Sequence, residues 1–195
     1  MVVSGPGGAG KGTVIKRLTE DRMFVLSVSM TTRLPRDSEA EGREYYFRSV
    51  EDFLKARDSG DLLEYTEFNG YYYGTPKTYV ERQIKAGKIV ILEIDVPGAM
   101  QVKEKYGDSV LVFIIPPDKN EMETRLRKRG SETDVTIRER IAIADREISS
   151  VDKYDYLVVN DTVESTIDRI KSIVAAEQLR PYRCTEQIDK FKIIK

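Results

Sequence analysis

Residues Gly5 to Thr13, with the sequence GPGGAGKGT, have the composition of a phosphate-binding loop. They follow the apolar pair Val2-Val3 and precede a helical pattern, which is the strand–loop–helix setting that this motif requires. The glycines let backbone N–H groups point into one concave surface, at the positive end of the helix dipole. Lys11 supplies an ammonium for the β- and γ-phosphates. The motif predicts nucleoside triphosphate binding by Gly5, Pro6, Gly7, Gly8, Ala9, Gly10, Lys11, Gly12 and Thr13.

One position departs from the strict motif. Gly12 follows Lys11 where the motif has a serine or threonine that ligates Mg²⁺, and Thr13 comes one place later. We therefore expect either Thr13 to substitute for that hydroxyl, or the metal to be held mainly by phosphates and water. A plain glycine-rich turn is the simpler alternative, but such a turn needs neither four glycines nor the lysine after them.

Carboxylates and arginines in three other places also have spacings that suit phosphate chemistry. Glu93 and Asp95 are two residues apart near the end of the apolar run Ile89 to Val96, so on a strand they share one face at the end where ligands bind. A guanidinium binds phosphate oxygens in bidentate pairs, and Arg33 and Arg36 flank Pro35 in a polar segment. A further set of arginines lies in and after the charged stretch 118–130, with the first two spaced i, i+4 on one helix face: Arg125, Arg129 and Arg140.

Each of these groups has a simpler interpretation. Arg33 and Arg36 could belong to a solvated charged loop, and Arg125 and Arg129 to an exposed, salt-bridged helix. The two carboxylates are harder to dismiss, because acidic residues rarely fill a core.

Composition limits the classes of function. The chain has 195 residues, of which 40% are hydrophobic and 33% charged, as in a folded globular domain. Its net charge of −1 gives no general attraction to nucleic acid or to an anionic membrane. No apolar stretch approaches the ~20 residues of a membrane span. The absence of histidine excludes His-based triads, and the single cysteine, Cys184, excludes an intrachain disulfide and suits the reducing cytoplasm.

Strands and helices alternate along most of the chain, which predicts an α/β fold with a parallel sheet wrapped by helices. Segment 30–75 differs, because it contains short strands, many aromatics and the hairpin signal Asn69-Gly70, and we interpret it as a small antiparallel lobe. The core strands are predicted at 24–29, 89–96, 110–115 and 156–159. Helices are predicted at 11–20, 50–59, 76–86, 98–106, 118–130, 137–150 and 163–178. Residues 180–195 form a tail with no predicted element.

Longer strings make the interpretation more specific. Residues 29–47 are SMTTRLPRDSEAEGREYYF, residues 62–75 are LLEYTEFNGYYYGT, and residues 91–98 are ILEIDVPG. Together with GPGGAGKGT they resemble the guanylate kinases, in the same order, from the first residues to about residue 175. The resemblance implies a P-loop NTPase-type sheet, a GMP-binding lobe and a helical lid. It also implies the reaction ATP + GMP ⇌ ADP + GDP, with Mg²⁺ as cofactor and dGMP as a second acceptor.

The resemblance divides the chain, of which about 1–179 form one guanylate kinase-like domain, into parts with separate tasks. The core comprises 1–29, 76–117 and 141–179, the GMP-binding lobe 30–75, the lid 118–140 and the tail 180–195. Within the lobe, Arg33 and Arg36 are implied to hold the phosphate of GMP, with phenolic hydrogen bonds from Tyr45 and Tyr73.

Guanine selection is implied for three further residues. The Glu64 carboxylate would accept from N1–H and N2–H₂, and the hydroxyls of Ser29 and Thr75 match the groups that face O6. Adenine would present a lone pair at N1, and a mispaired buried polar group costs about 1–3 kcal/mol. Considered without the string around it, Glu64 would be a surface strand acid.

The remaining implied roles belong to the transfer step. Lys11, Arg33, Arg125, Arg129 and Arg140 would stabilise the transferring phosphoryl group. Asp95, with Glu93 beside it, is placed near the acceptor nucleotide and Mg²⁺, which Asp95 and Thr13 would contact directly or through water. Asn160 matches a position near the adenine or its loop.

The expected partners are therefore ATP and GMP, with neither nucleic acid nor membrane, in a cytoplasmic monomer or homo-oligomer. Two alternatives stay open. One is a guanylate-kinase-like module that has lost catalysis and binds peptides, against which Lys11 and the arginines argue. The other is a kinase for a different nucleoside monophosphate or a sugar phosphate, against which Glu64, Ser29 and Thr75 argue.

Overall fold

The computed structural model describes residues 1–128 and 134–192. Their strands are β1 Val2–Ser4, β2 Phe24–Leu26, β3 Ser29–Thr31, β4 Tyr45–Phe47, β5 Leu62–Phe68, β6 Tyr71–Pro76, β7 Ile89–Glu93, β8 Leu111–Ile115 and β9 Tyr156–Val159. The α-helices are α1 Lys11–Leu18, α2 Val50–Asp58, α3 Lys77–Lys85, α4 Val96–Lys105, α5 Lys119–Lys128, α6 Asp134–Ile148, α7 Val163–Gln178 and α8 Thr185–Asp189. Short 3₁₀ turns occupy Val151–Lys153 and Pro181–Arg183.

The core sheet is parallel, with the strand order β2-β7-β1-β8-β9. Side chains alternate across a strand, so Val2 and Val3 lie on opposite faces and enter two different apolar clusters. The Val3 cluster packs against Ile15 of α1 and Ile170 of α7, whereas the Val2 cluster packs against Ala99 of α4. Both faces are thus covered by helices, which confirms the predicted α/β class.

The second sheet has the order β4-β3-β6-β5. β5 and β6 form the predicted hairpin, in which Asn69 and Gly70 both adopt positive φ, at 51° and 76°. The sheet is mixed and not wholly antiparallel as expected, because β3 and β4 pair in parallel through the long connection between them. Phe53 of α2 stacks on Tyr72 with ring centroids 5.4 Å apart, which packs that helix onto the sheet.

The apolar segment 24–29, predicted as one core strand, is divided between the two sheets. β2 ends at Leu26, the Ser27 N–H donates to Ile91 O at 2.9 Å, and β3 then begins at Ser29 in the second sheet. An apolar run shows that backbone is buried but not which partner strand it pairs with. Ser29 therefore lies at the junction between the sheets.

The predicted strand 89–96 was also too long. β7 ends at Glu93, and Asp95 is the N-cap of α4, with its Oδ1 accepting from the Gly98 N–H at 2.9 Å. Pro97 in the first turn suits this start, so the helix begins at Val96 and not at Gly98. Glu93 and Asp95 consequently do not share a strand face.

The tail contains helical turns that the sequence did not predict, namely the 3₁₀ turn at Pro181–Arg183 and α8. Within residues 1–128 and 134–192, no helix combines the length and apolar character needed to cross a bilayer.

Candidate active site

A cleft of about 620 Å³ lies between the carboxyl ends of the core strands and the second sheet. Residues from the phosphate loop, from β3 to β6 and from the end of β7 line it together. Nine of the predicted site residues are among them: Gly5, Gly7, Lys11, Ser29, Tyr45, Glu64, Tyr73, Glu93 and Asp95. This is the position at which open α/β sheets bind ligands.

The phosphate loop curves between β1 and α1, with Gly10 as the N-cap of that helix. Gly5 has φ 143°, and a Cβ there would lie 2.0 Å from Ile114 O, so only glycine fits. Lys11 Nζ donates to Gly5 O and, at 3.1 Å, to Pro6 O. The ammonium is therefore held along the inner edge of the loop, beside the surface on which phosphates are expected to bind.

Gly5→Ala should destabilise the fold, whereas Gly12→Ala should not. Strain at a positive φ and overpacking each cost about 1–3 kcal/mol. We therefore expect Gly5→Ala to lower the free energy of unfolding by at least about 2 kcal/mol. Gly12 has open space around its Cβ position in α1, where alanine should add up to about 0.5 kcal/mol. Thermal unfolding of both variants measures the contrast, and equal melting temperatures would refute the geometry assigned to Gly5.

Arg125 and Asn160 hold the loop from outside the cleft. Asn160 is 3% exposed, and its Nδ2 donates to Ala9 O at 2.7 Å while its Oδ1 accepts from Thr166 Oγ1 at 2.9 Å. Arg125 donates to Ala9 O at 3.3 Å, to Asn160 O at 3.0 Å and to Glu121 at 2.8 Å. Both side chains therefore contact the loop backbone in this structure, although the sequence placed them against ATP.

Arg33 and Arg36 lie at the edge of the lobe. Arg33 Nη2 donates to both carboxylate oxygens of Glu39 at 2.9 Å, and its guanidinium lies 5.5 Å from the ring centroid of Tyr45. Arg36 is exposed, and its backbone N–H donates to the same carboxylate. Burial alone raises the pKa of Glu39, but the hydrogen bonds from Arg36 and Arg33 hold it below its usual value. Sequence reasoning missed Glu39, for which the available signal was an acid three residues after Arg36 in the same polar segment.

Glu64 is the most buried carboxylate in the cleft, at 2% exposure. Thr75, fully buried beside it, donates from Oγ1 to Glu64 Oε1 at 2.6 Å. Burial raises the pKa of Glu64 to about 7, and the nearby charge of Asp95 adds to this. A Cβ on Gly98 would lie 2.6 Å from Glu64 Oε2 and 3.0 Å from Asp95 Oδ1, so this glycine lets the two carboxylates approach.

Tyr45 and Tyr73 form one wall of the cleft, with an edge-to-face contact at 5.9 Å between ring centroids. Burial raises the pKa of Tyr45, so its phenol is a protonated hydrogen-bond donor at neutral pH.

The other predicted residues occupy different surroundings. Thr13 and Gly12 are exposed on α1 and do not line the cleft. Gly8 packs against α5, since a Cβ there would lie 3.1 Å from Met122 Cγ. A Cβ on Gly7 would lie 3.1 Å from Arg140 Nη1, which places that guanidinium against the loop. Arg129 lies outside the described residues.

Glu147 of α6 also lines the cleft, and sequence reasoning missed it. Burial raises its pKa, which the Lys11 ammonium lowers and the Asp95 carboxylate raises further. Nothing in the local string REISS distinguishes Glu147 from an ordinary helix acid, so only packing reveals it.

Comparisons with known proteins identify the family of this chain. The guanylate kinase family model matches residues 1–177. Guanylate kinases of Clostridium acetobutylicum and Enterococcus faecalis are 47% and 48% identical, over 96% and 92% of this chain and 90% and 89% of theirs. The crystal structure of guanylate kinase from Anaplasma phagocytophilum superposes with a TM-score of 0.79 at 35% identity, covering 100% of this chain and 95% of that one. The chain belongs to the guanylate kinase family.

Proposed function

We propose that this chain is a guanylate kinase, which transfers the γ-phosphoryl group of ATP to GMP. One observation carries the proposal: the cleft lined by the phosphate-loop lysine, Lys11, is also lined by the buried carboxylate of Glu64, which accepts a hydrogen bond from Thr75 behind it. The lysine suits a triphosphate, and the buried acceptor with its hydroxyl suits guanine.

At the guanine end, the proposed binding is an exchange of hydrogen bonds. Glu64 accepts from Thr75 in this structure, and N1–H and N2–H₂ of guanine would replace that donor. The Thr75 hydroxyl is then free to turn toward O6, together with Ser29 from the start of β3. Adenine offers no such donors and would leave the buried carboxylate unpaired, at a cost of about 1–3 kcal/mol.

At the acceptor phosphate, we assign Arg33 and Arg36, with the phenols of Tyr45 and Tyr73. Arg33 already binds the carboxylate of Glu39, which shows that its guanidinium is oriented by an anion at the lobe edge. The phosphate of GMP would add charge-assisted hydrogen bonds to this cluster.

At the donor nucleotide, the loop N–H groups and Lys11 would hold the phosphates, while Arg140 beside Gly7 would face the transferring group. Arg125 and Asn160 would act mainly by holding the loop, because their side chains are bonded to its backbone. Lys11, Arg33 and Arg140 are thus the proposed catalytic cations, with Arg129 assigned by resemblance alone.

Mg²⁺ is the proposed cofactor, and the carboxylate oxygens at the cleft are ligands that fit it. No group of three or more candidate ligands occurs in the described part of the chain. Asp95 and Glu93 nevertheless supply carboxylate oxygens at the cleft, and Mg²⁺ usually keeps several waters and binds substrate phosphates. Asp95 would hold it through water, whereas Thr13 lies on the exposed side of α1. Bound Mg²⁺ would neutralise charge on the β- and γ-phosphates.

The proposed division of labour follows the sheets. Segment 30–75, extended by Ser29, would form the GMP lobe, 118–140 the lid, and the rest of the chain to 179 the core. The proposed partners are the two nucleotides, in the cytoplasm, which the lone Cys184 suits.

A coupled assay of ADP release with GMP, dGMP, AMP, CMP and UMP tests the proposal. We expect turnover with GMP and dGMP and at least tenfold lower kcat/KM with the others. Turnover with AMP but not GMP would refute the guanine assignment, and no turnover with any acceptor would favour the peptide-binding module.

GMP affinity should fall as the pH drops below 7. Only ionised Glu64 can accept from both guanine N–H groups, and its pKa of about 7 reflects burial, with Thr75, Asp95 and Lys105 acting on it. GMP binding requires the Glu64 carboxyl group to lose one proton, so each pH unit below 7 should weaken GMP binding about tenfold. Calorimetric GMP titrations from pH 5.5 to 8.5 measure this, and Glu64→Gln should bind weakly with a flat profile between pH 6.5 and 8.

The raised pKa of Glu64 makes the stability of the fold depend on pH in the opposite direction to GMP affinity. Because the folded state raises the pKa of Glu64 above its ordinary value of 4.5, this group stabilises the fold most below pH 4.5. That contribution is lost as the pH rises through about 7. A GMP affinity that is constant from pH 6 to 8 would contradict the role given to Glu64.

A further inference from the structure

Glu147 is a cleft carboxylate with an unused hydrogen-bonding atom. It projects from α6 into the cleft lined by Lys11 and Asp95. Its Oε2 is shielded from solvent and has no hydrogen-bond partner among residues 1–128 and 134–192. A shielded carboxylate oxygen without a donor is costly, so its retention in a ligand cleft requires an explanation.

Lys11 is the cation that acts on this carboxylate among the described residues. Both side chains line the same cleft, and the Lys11 charge opposes the effect of burial on the pKa of Glu147. In this structure, however, Lys11 Nζ donates to the carbonyls of Gly5 and Pro6. An ammonium has three donors, and phosphates arriving on the loop would draw it away from these carbonyls.

We propose that Glu147 is a positioning residue for Lys11, a role that rests on the proposed kinase function. When the β- and γ-phosphates bind, Lys11 moves toward them, and the Glu147 carboxylate accepts one of its N–H groups. The ammonium is then fixed between the carboxylate on α6 and the phosphates on the loop. Glu147 thereby couples α6, which begins within the proposed lid, to the charge that stabilises phosphoryl transfer.

Two other groups face Glu147 but explain it less well. Asp95 is a second carboxylate, which repels it unless a cation or proton intervenes. The phenol of Tyr154 is also close, since the charge of Glu147 contributes to raising the pKa of Tyr154. A tyrosine can donate only one hydrogen bond, and its link to Glu147 would not involve the nucleotide.

A double-mutant cycle tests the proposal. Wild type, Glu147→Gln, Lys11→Met and the double variant are compared by calorimetric binding of a non-hydrolysable ATP analogue with Mg²⁺, and by kcat and KM for GMP. We expect Glu147→Gln to lower kcat about tenfold with little change in the KM for GMP. In the Lys11→Met background it should have no further effect on binding or kcat. Glu139→Gln, an exposed change on the same helix, is the matched control.

Additive losses in the cycle, or full activity of Glu147→Gln, would overturn the proposal. A Glu147→Gln loss that persists without Lys11 and is cured by more Mg²⁺ would assign the carboxylate to the metal instead. The binding arm keeps this test separate from the proposed function. Non-additive binding of the ATP analogue supports the positioning role even where wild type fails to phosphorylate GMP.

Discussion

Replacing Lys11 by alanine should lower kcat by about 10²–10³-fold, the range found when one pre-organised charge-stabilising donor is removed from an active site. Lys11 lies at the start of α1, where its ammonium is bonded to Gly5 O and Pro6 O, within reach of phosphates on the loop. During transfer, charge is spread over the equatorial oxygens of the phosphoryl group, and the ammonium neutralises part of it. Steady-state kinetics at saturating ATP and GMP measure the loss.

The control for Lys11→Ala is Lys16→Ala. Lys16 is on the same helix but exposed, so its replacement should leave kcat within about twofold. The melting temperature of Lys11→Ala should stay near that of wild type, because the lost hydrogen bonds are to carbonyls at the cleft edge. A Lys11→Ala enzyme that retains more than a tenth of the wild-type kcat would remove this residue from the transfer step.

Replacing Glu64 by glutamine should reduce kcat/KM for GMP by about 10²-fold. The variant keeps the volume and an acceptor for Thr75 but presents an amide NH₂ where guanine needs a second acceptor. Sites built to hydrogen-bond a substrate lose affinity steeply when one polar pair is mismatched. Rates with AMP should change much less, so the preference for GMP over AMP should narrow by a comparable factor.

The melting temperature of Glu64→Gln distinguishes a loss of kcat/KM for GMP from damage to the fold. Glutamine carries no charge, and the raised pKa of Glu64 means that its ionised form is unfavourable in the folded protein. At pH 8 the variant should therefore melt no lower than wild type. Glu104→Gln, on the exposed surface of α4, should match wild type in both assays. An unchanged kcat/KM for GMP in Glu64→Gln would place guanine elsewhere in the cleft.

Much of the fold could be predicted from local patterns. The glycine loop, the Asn69-Gly70 hairpin and the buried strand at 111–115 all depend on neighbours in sequence, because backbone freedom and side-chain alternation are local properties. The errors fell where local patterns are ambiguous. The apolar run 24–29 does not show that it serves two sheets, and Asp95 looks like a strand residue until its bond to Gly98 makes it a helix cap.

The sequence by itself predicted nucleotide binding on a phosphate loop, and its longer strings indicated the family and the residues to examine. Only the tertiary structure decided how those residues are used. Packing gave Glu64 its burial and raised pKa, joined Arg33 to Glu39, attached Asn160 to the loop and brought Glu147 into the cleft that Lys11 lines. Asn160 and Ala9, for example, are 151 residues apart in the sequence. The burial of a group and the charges around it depend on such distant neighbours and not on the residues next to it in the sequence.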